Sequence, residues 1–146
     1  MKRWIKAIAL ALTAALLISL CGFSGECADI RQRVVRLHVL ANSDSEADQA
    51  LKLKVRDAVV EAAAGLFDGA EDADQALNLA REKLPELEEV ARQTVKAEGY
   101  DYPVKAKLVN MYFTTRSYED SVTLPAGMYN ALRITIGEAE GKNWWC

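Results

Sequence analysis

With a single histidine, three cysteines and three prolines among 146 residues, the chain has little of what most catalytic or metal centres are built from. The cysteines stand at Cys21, Cys27 and Cys146, so the clustered pairs of a zinc site are missing and His38 is the only imidazole. A glycine-rich phosphate loop and a Gly-x-Ser-x-Gly nucleophile turn are also absent. Positive charge is not in excess. The formal net charge is −3, and residues 1–28 hold Lys2, Arg3 and Lys6 against Glu26 alone, so the remainder is more acidic than the whole. Such a balance gives no electrostatic reason to bind nucleic acid or anionic lipid. What the composition does supply is 51% hydrophobic residues in a length suited to one domain, which excludes both a disordered tail and a multidomain enzyme.

The apolar residues are unevenly spread. Lys2, Arg3 and Lys6 precede the run Ala7 to Leu20, broken only by Thr13 and Ser19. A positive start followed by an apolar stretch shorter than the ~20 residues of a full membrane span reads as a secretory signal peptide or a retained N-terminal anchor. Gly22-Phe23-Ser24 supplies small residues for cleavage, while Leu20 is too large for the position before a lipoprotein cysteine. Residues 1–28 are therefore assigned to a signal or anchor and 29–146 to one exported domain. Export to an oxidising space permits a disulfide, and Cys27 with Cys146 is the pair that would tie the domain's ends together.

From residue 31 the pattern is α+β. Arg33 to Leu40 is β-branched and alternating, placing Val35, Leu37 and Val39 on one face and Val34, Arg36, His38 and Leu40 on the other. Ser43 and Glu46 fit a capping box for a helix from about Asp44 to Ala64, with a core stripe of Leu51, Val55, Ala58, Val59, Ala62 and Leu66. Asp48, Lys52, Lys54, Arg56 and Asp57 read as its solvated face. A second helical region runs from Glu71 to Glu98, broken near Leu84 because Pro85 suits a first turn and not an interior. Twofold alternation then marks strands at Val104 to Phe113, Val122 to Leu124 and Met128 to Ile136, with a polar loop over Thr114 to Asp120. This order predicts a small antiparallel or mixed sheet with two to three helices packed on one face, behind an N-terminal signal or anchor helix.

Two clusters bear on function. His38, Asn42, Ser43 and Asp44 gather where a strand hands over to a helix, and His38 with Ser43 is the one pair that could serve as base and nucleophile of an exported hydrolase or cell-wall enzyme. Ser43 is already accounted for as a cap, and a partly buried histidine has many roles besides catalysis. Trp144 and Trp145, side by side in an extended run, would point to opposite sides of a strand; such residues are found at binding hot spots, and the alternative is that both pack on the core and close the domain.

The run from Arg36 to Asp57, containing Leu37-His38-Val39-Leu40-Ala41-Asn42-Ser43-Asp44-Ser45-Glu46, closely resembles the opening motif of the stage II sporulation protein R family. Leu124 to Arg133 and Gly141-Lys142-Asn143-Trp144-Trp145-Cys146 resemble its two later motifs, in order. The resemblance implies a signalling protein of endospore-forming bacteria, not an enzyme and without cofactor or metal. It implies export from the forespore into the space between the sporulation membranes, where it is needed to activate a membrane-embedded aspartic protease of the mother cell that processes the sigma-E precursor. Partner-binding residues are then expected among His38, Asn42, Asp44 and Asp48 or at the Trp144–Trp145 edge, with membrane contact only through the N-terminal segment. Thr114 stands where the family usually has proline. Family members also commonly continue past the tryptophan–cysteine motif into a tail with another cysteine, so a chain ending at Cys146 reads as truncated.

Overall fold

The computed structural model describes residues 2–65, 70, 72–118 and 122–145. Val35–Leu40 (β1) forms the second central strand of a four-stranded sheet whose order is β2-β5-β1-β6, where β2 is Val104–Phe113, β5 is Gly127–Ile136 and β6 is Asn143–Trp145. The sheet is mixed. β1 runs parallel to β5, from Val35 beside Asn130 to Leu40 beside Thr135, while β2 pairs with β5 and β6 with β1 in the antiparallel sense.

Three helices cover one face of this sheet. They are α2 (Glu46–Ala64), α3 (Ala73–Glu82) and α4 (Leu84–Ala97). Leu51, Val55 and Val59 of α2 and Leu87, Ala91 and Val95 of α4 repeat at helical spacing and meet Val39, Val104, Ala106, Leu132, Ile134 and Ile136, the strand positions of one parity. Truncating any of the larger of these side chains to alanine removes packing that the neighbours only partly refill, at a cost of about 2–5 kcal/mol. The α3–α4 break falls at Lys83, with Pro85 in the first turn of α4, where its missing N–H has no helical acceptor to lose. Leu66 of the expected α2 stripe and Glu71, the expected start of the second helical region, lie outside the described residues.

The N-terminal helix α1 (Lys2–Arg33) runs past the expected boundary at residue 28 into the domain. Near its end Arg31 Nη1 donates to the Ala126 carbonyl at 3.2 Å beside Gly127 at the start of β5. Its apolar residues from Trp4 to Ile18 are exposed, Leu10 to 75%. Among the described residues no helix is long and apolar enough to cross a membrane.

The segment expected as a polar loop holds a strand. Arg116–Tyr118 (β3) pairs antiparallel with Val122–Leu124 (β4), and the Ser117 and Thr123 hydroxyls lie 2.9 Å apart across the pair. Threonine and serine pairs stabilise strands without any apolar alternation, which is why polarity alone misassigned it.

Candidate functional site

The end of β1 opens into Ala41-Asn42-Ser43-Asp44-Ser45, and this turn is fastened from both sides. Asp48, one turn into α2, is buried and receives the Ser43 hydroxyl at 2.6 Å and the Asn42 side-chain amide at 2.9 Å. These bonds, the Ser43 one foremost, hold its carboxyl below the usual range, with Tyr102 and Ser45 adding to the effect against the opposing influence of burial. The Tyr102 phenol is correspondingly pushed up, by desolvation first and by its bond to Asp48 second.

The expected capping box lies two residues too early. Ser45, not Ser43, is the N-cap, its Oγ accepting the Asp48 N–H at 3.1 Å, and Glu46 lies exposed in the first turn. Ser43 accepts the Ser45 N–H at 3.2 Å while donating to Asp48. A hydroxyl has one proton to give, so the Ser43 proton is committed to Asp48 and is not directed to His38 as a base–nucleophile pair requires.

From the other side comes the segment between β5 and β6. Asn42 Oδ1 accepts the Glu138 N–H at 3.0 Å, its carbonyl accepts that of Glu140 at 3.2 Å, and the Ala41 carbonyl that of Gly141 at 3.0 Å. Asp44 takes the Lys142 N–H at 2.6 Å. Lys52, read from sequence as solvated, is 5% exposed; its ammonium donates to Gln49 Oε1 at 2.5 Å and to the Lys142 carbonyl at 3.1 Å. Burial lowers the Lys52 pKa, with Asp44 opposing and Arg56 and Lys142 reinforcing the shift. Two glycines make the approach close enough. Gly137 adopts φ 60° against the Asn42 side chain, and a Cβ on Gly141 would overlap the Ser43 carbonyl.

On the sheet face away from the helices, Arg36 and His38 are both 2% exposed. The Arg36 guanidinium lies 4.1 Å from the Phe113 ring centroid and 5.1 Å from that of Tyr129, and its Nη2 donates to the Tyr118 hydroxyl at 2.9 Å. His38 meets Phe113 edge-on at 6.0 Å. β3 and β4 thus lock onto the sheet through a cation held between aromatic rings, the geometry that favours a guanidinium over an ammonium. Tyr129 completes the cluster by donating to the Pro125 carbonyl at 2.6 Å.

The expected site residues therefore divide by accessibility. Asn42, Ser43, Asp44 and Asp48 are brought together at one end of β1, but only Asp44 is exposed, and His38 and Asp48 are buried. Trp145 is the cross-strand partner of His38 and Trp144 that of Val39, which sets β6 against the same strand. Cys146 lies outside the described residues, and with it the Cys27–Cys146 pairing. Lys52 and Tyr102 escape a local reading, because the Lys142 carbonyl that Lys52 meets and the Asp48 carboxylate that Tyr102 meets lie far off in the chain.

The comparisons with known proteins are consistent across this region. The family described as "Stage II sporulation protein R (spore_II_R)" matches residues 31–146, from the last turn of α1 through β6. The Stage II sporulation protein R of Bacillus subtilis (strain 168) is 38% identical over 117 residues, covering 80% of this chain and 52% of that protein. The chain thus spans about half the length of the curated relative it matches. No solved structure matches.

Proposed function

Because the chain belongs to the stage II sporulation protein R family, we propose that it is an exported sporulation signal, required for the mother cell's membrane-embedded aspartic protease to process the sigma-E precursor. The observation that carries this reading is the reach of the family match, which takes in every strand and helix of the domain and not one motif alone. The positively charged, apolar start from Lys2 to Leu20 supports export. The Ser43 proton goes to Asp48, which argues against the base–nucleophile pair with His38 on which the hydrolase reading relies.

The domain acts by binding. Its contact surface in this reading is the end of β1 where Asp44 is exposed, together with the adjoining β6 edge of Trp144 and Trp145. A ligand moves a two-state receptor only through unequal affinity for the two states, so this surface must recognise the active form. Asp48, Asn42 and Lys52 then position that surface without touching the receptor.

The test is reconstitution of the purified chain with the protease and the precursor in membranes. Cleavage that depends on added chain, and that is lost in Asp44→Lys or Trp145→Ala with folding intact, supports the reading. Cleavage at the same rate without the chain sinks it.

A further inference from the structure

Net charge conceals a segregation that the strand pairings create. Strands β1, β2, β5 and β6 contain no acidic residue. Because Val104, Ala106, Leu132 and Ile134 face the helices, Lys105, Lys107 and Arg133 occupy the opposite face, and Lys107 and Arg133 are direct cross-strand partners. None of the three has an ion pair among the described residues, and Arg133 Nε is buried without a hydrogen-bond acceptor there. Lysines on an edge strand commonly serve to discourage pairing with other chains. Arg133 sits on an inner strand, where that role does not apply.

The same face adjoins an open edge. β2 is the last strand of its sheet, and the Ala106 N–H, turned outward, is taken by Glu88 of α4 at 2.9 Å. By alternation the amides of Leu108, Asn110 and Tyr112 also turn outward, and no helix side chain among the described residues takes them. Beyond Lys107, β2 presents Val109 and Met111 on the cationic face, both partly buried against Phe113 and Tyr129. One edge therefore offers backbone donors and acceptors beside an apolar strip, closed by Glu88 at the point where three unpaired cations begin.

We propose that this surface binds an extended acidic segment of a partner protein. The segment adds as a strand to β2 from Phe113 to Lys107, sets apolar side chains over Met111 and Val109, leaves the edge at Ala106, and lays carboxylates across Lys105, Lys107 and Arg133. Strand addition supplies affinity through main-chain bonds and specificity through alternate side chains. A phospholipid surface would use the cations but not the edge amides. This inference concerns a surface remote from Asp44 and stands whether or not precursor processing is the output.

The experiment measures binding of the labelled peptide Thr-Val-Thr-Val-Thr-Glu-Glu-Glu to the purified chain by fluorescence anisotropy, with phosphatidylglycerol vesicles as a second arm. Binding should weaken by about tenfold or more when Gln replaces the three Glu, and fall with added salt. Asn110→Pro deletes an outward amide that the β2–β5 ladder does not use, so the fold, followed by circular dichroism, persists while peptide binding drops about tenfold. Asn110→Ala, which loses the same side chain but keeps the amide, binds within about twofold of the parent. The pair Lys107→Glu with Arg133→Glu abolishes binding. Failure of the peptide to bind, equal binding by Asn110→Pro and the parent, or binding confined to the vesicles would each overturn the proposal.

Discussion

The Asp44 carboxylate accepts the Lys142 backbone N–H at 2.6 Å across 98 residues of chain, tying the entry to α2 to the segment that leads into β6. With Asn42 bonded to Glu138, and Lys52 to the Lys142 carbonyl, the start and finish of the domain form one latch. The exposed end of β1 and the tryptophan edge are consequently one mechanical unit.

Asp48 is the centre of that latch. Asp48→Ala should leave the Asn42 and Ser43 donors buried without an acceptor and cost about 2–4 kcal/mol in urea unfolding. Asp48→Asn retains a carbonyl and should cost less.

Acid should unfasten it. The Asp48 carboxyl is held below its ordinary value of 3.8, so its contribution is complete above that pH and is lost as pH falls through the lower folded value. Lys52 acts at the other extreme: its folded pKa is below 10.5, so stability rises with pH between the two values. Unfolding free energy measured against pH should decline below about pH 4, with a shallower slope in Asp48→Asn.

Gly141→Ala should destabilise by about 1–3 kcal/mol, because the added methyl meets the Ser43 carbonyl, a backbone group that cannot swing aside as a side chain would. Gly137→Ala adds strain at φ 60° to a clash with the Asn42 side chain. Both should lower the melting temperature while leaving the far-ultraviolet circular dichroism of the folded form unchanged.

The two serines separate structure from catalysis. Ser45→Ala should cost about 1 kcal/mol as a lost N-cap, and Ser43→Ala a similar amount for its bond to Asp48. Precursor processing should persist in both at temperatures where they are folded. Loss of processing in folded Ser43→Ala alone would restore the hydrolase reading.

Tyr118→Phe removes the acceptor of Arg36 Nη2 and should cost about 1–2 kcal/mol. Hydrogen exchange at β3 and β4 should speed up more than at β5, since that bond is one of the fastenings of the small sheet to the large one.

The core was legible because strand and helix periods are local. The face assignment of β1, the full extent of β2 and the α3–α4 break just before Pro85 all follow from residues within one or two turns of each other. The cap was misplaced: Ser43 with Glu46 has capping-box spacing, but Ser43 turns its proton to Asp48 and it is Ser45 that accepts the Asp48 N–H and starts the helix. Lys52 looks solvated until the segment around Lys142 is laid over it. The cationic face is invisible in composition because the acids that balance it lie outside the strands, and only the pairing of β2 with β5 brings Lys107 to Arg133.

The parallel pairing of β1 with β5 joins Val35 to Asn130 and Leu40 to Thr135. A chain emerging from the ribosome therefore holds no β1–β5 pair until β5 itself is made, after α2, α3, α4 and β2, and its helices have only half a platform before then. Such remote pairing slows folding relative to local structure. Until that pairing closes, the side of β1 that faces β5 has no strand to bond to, and its backbone donors and acceptors stay with water.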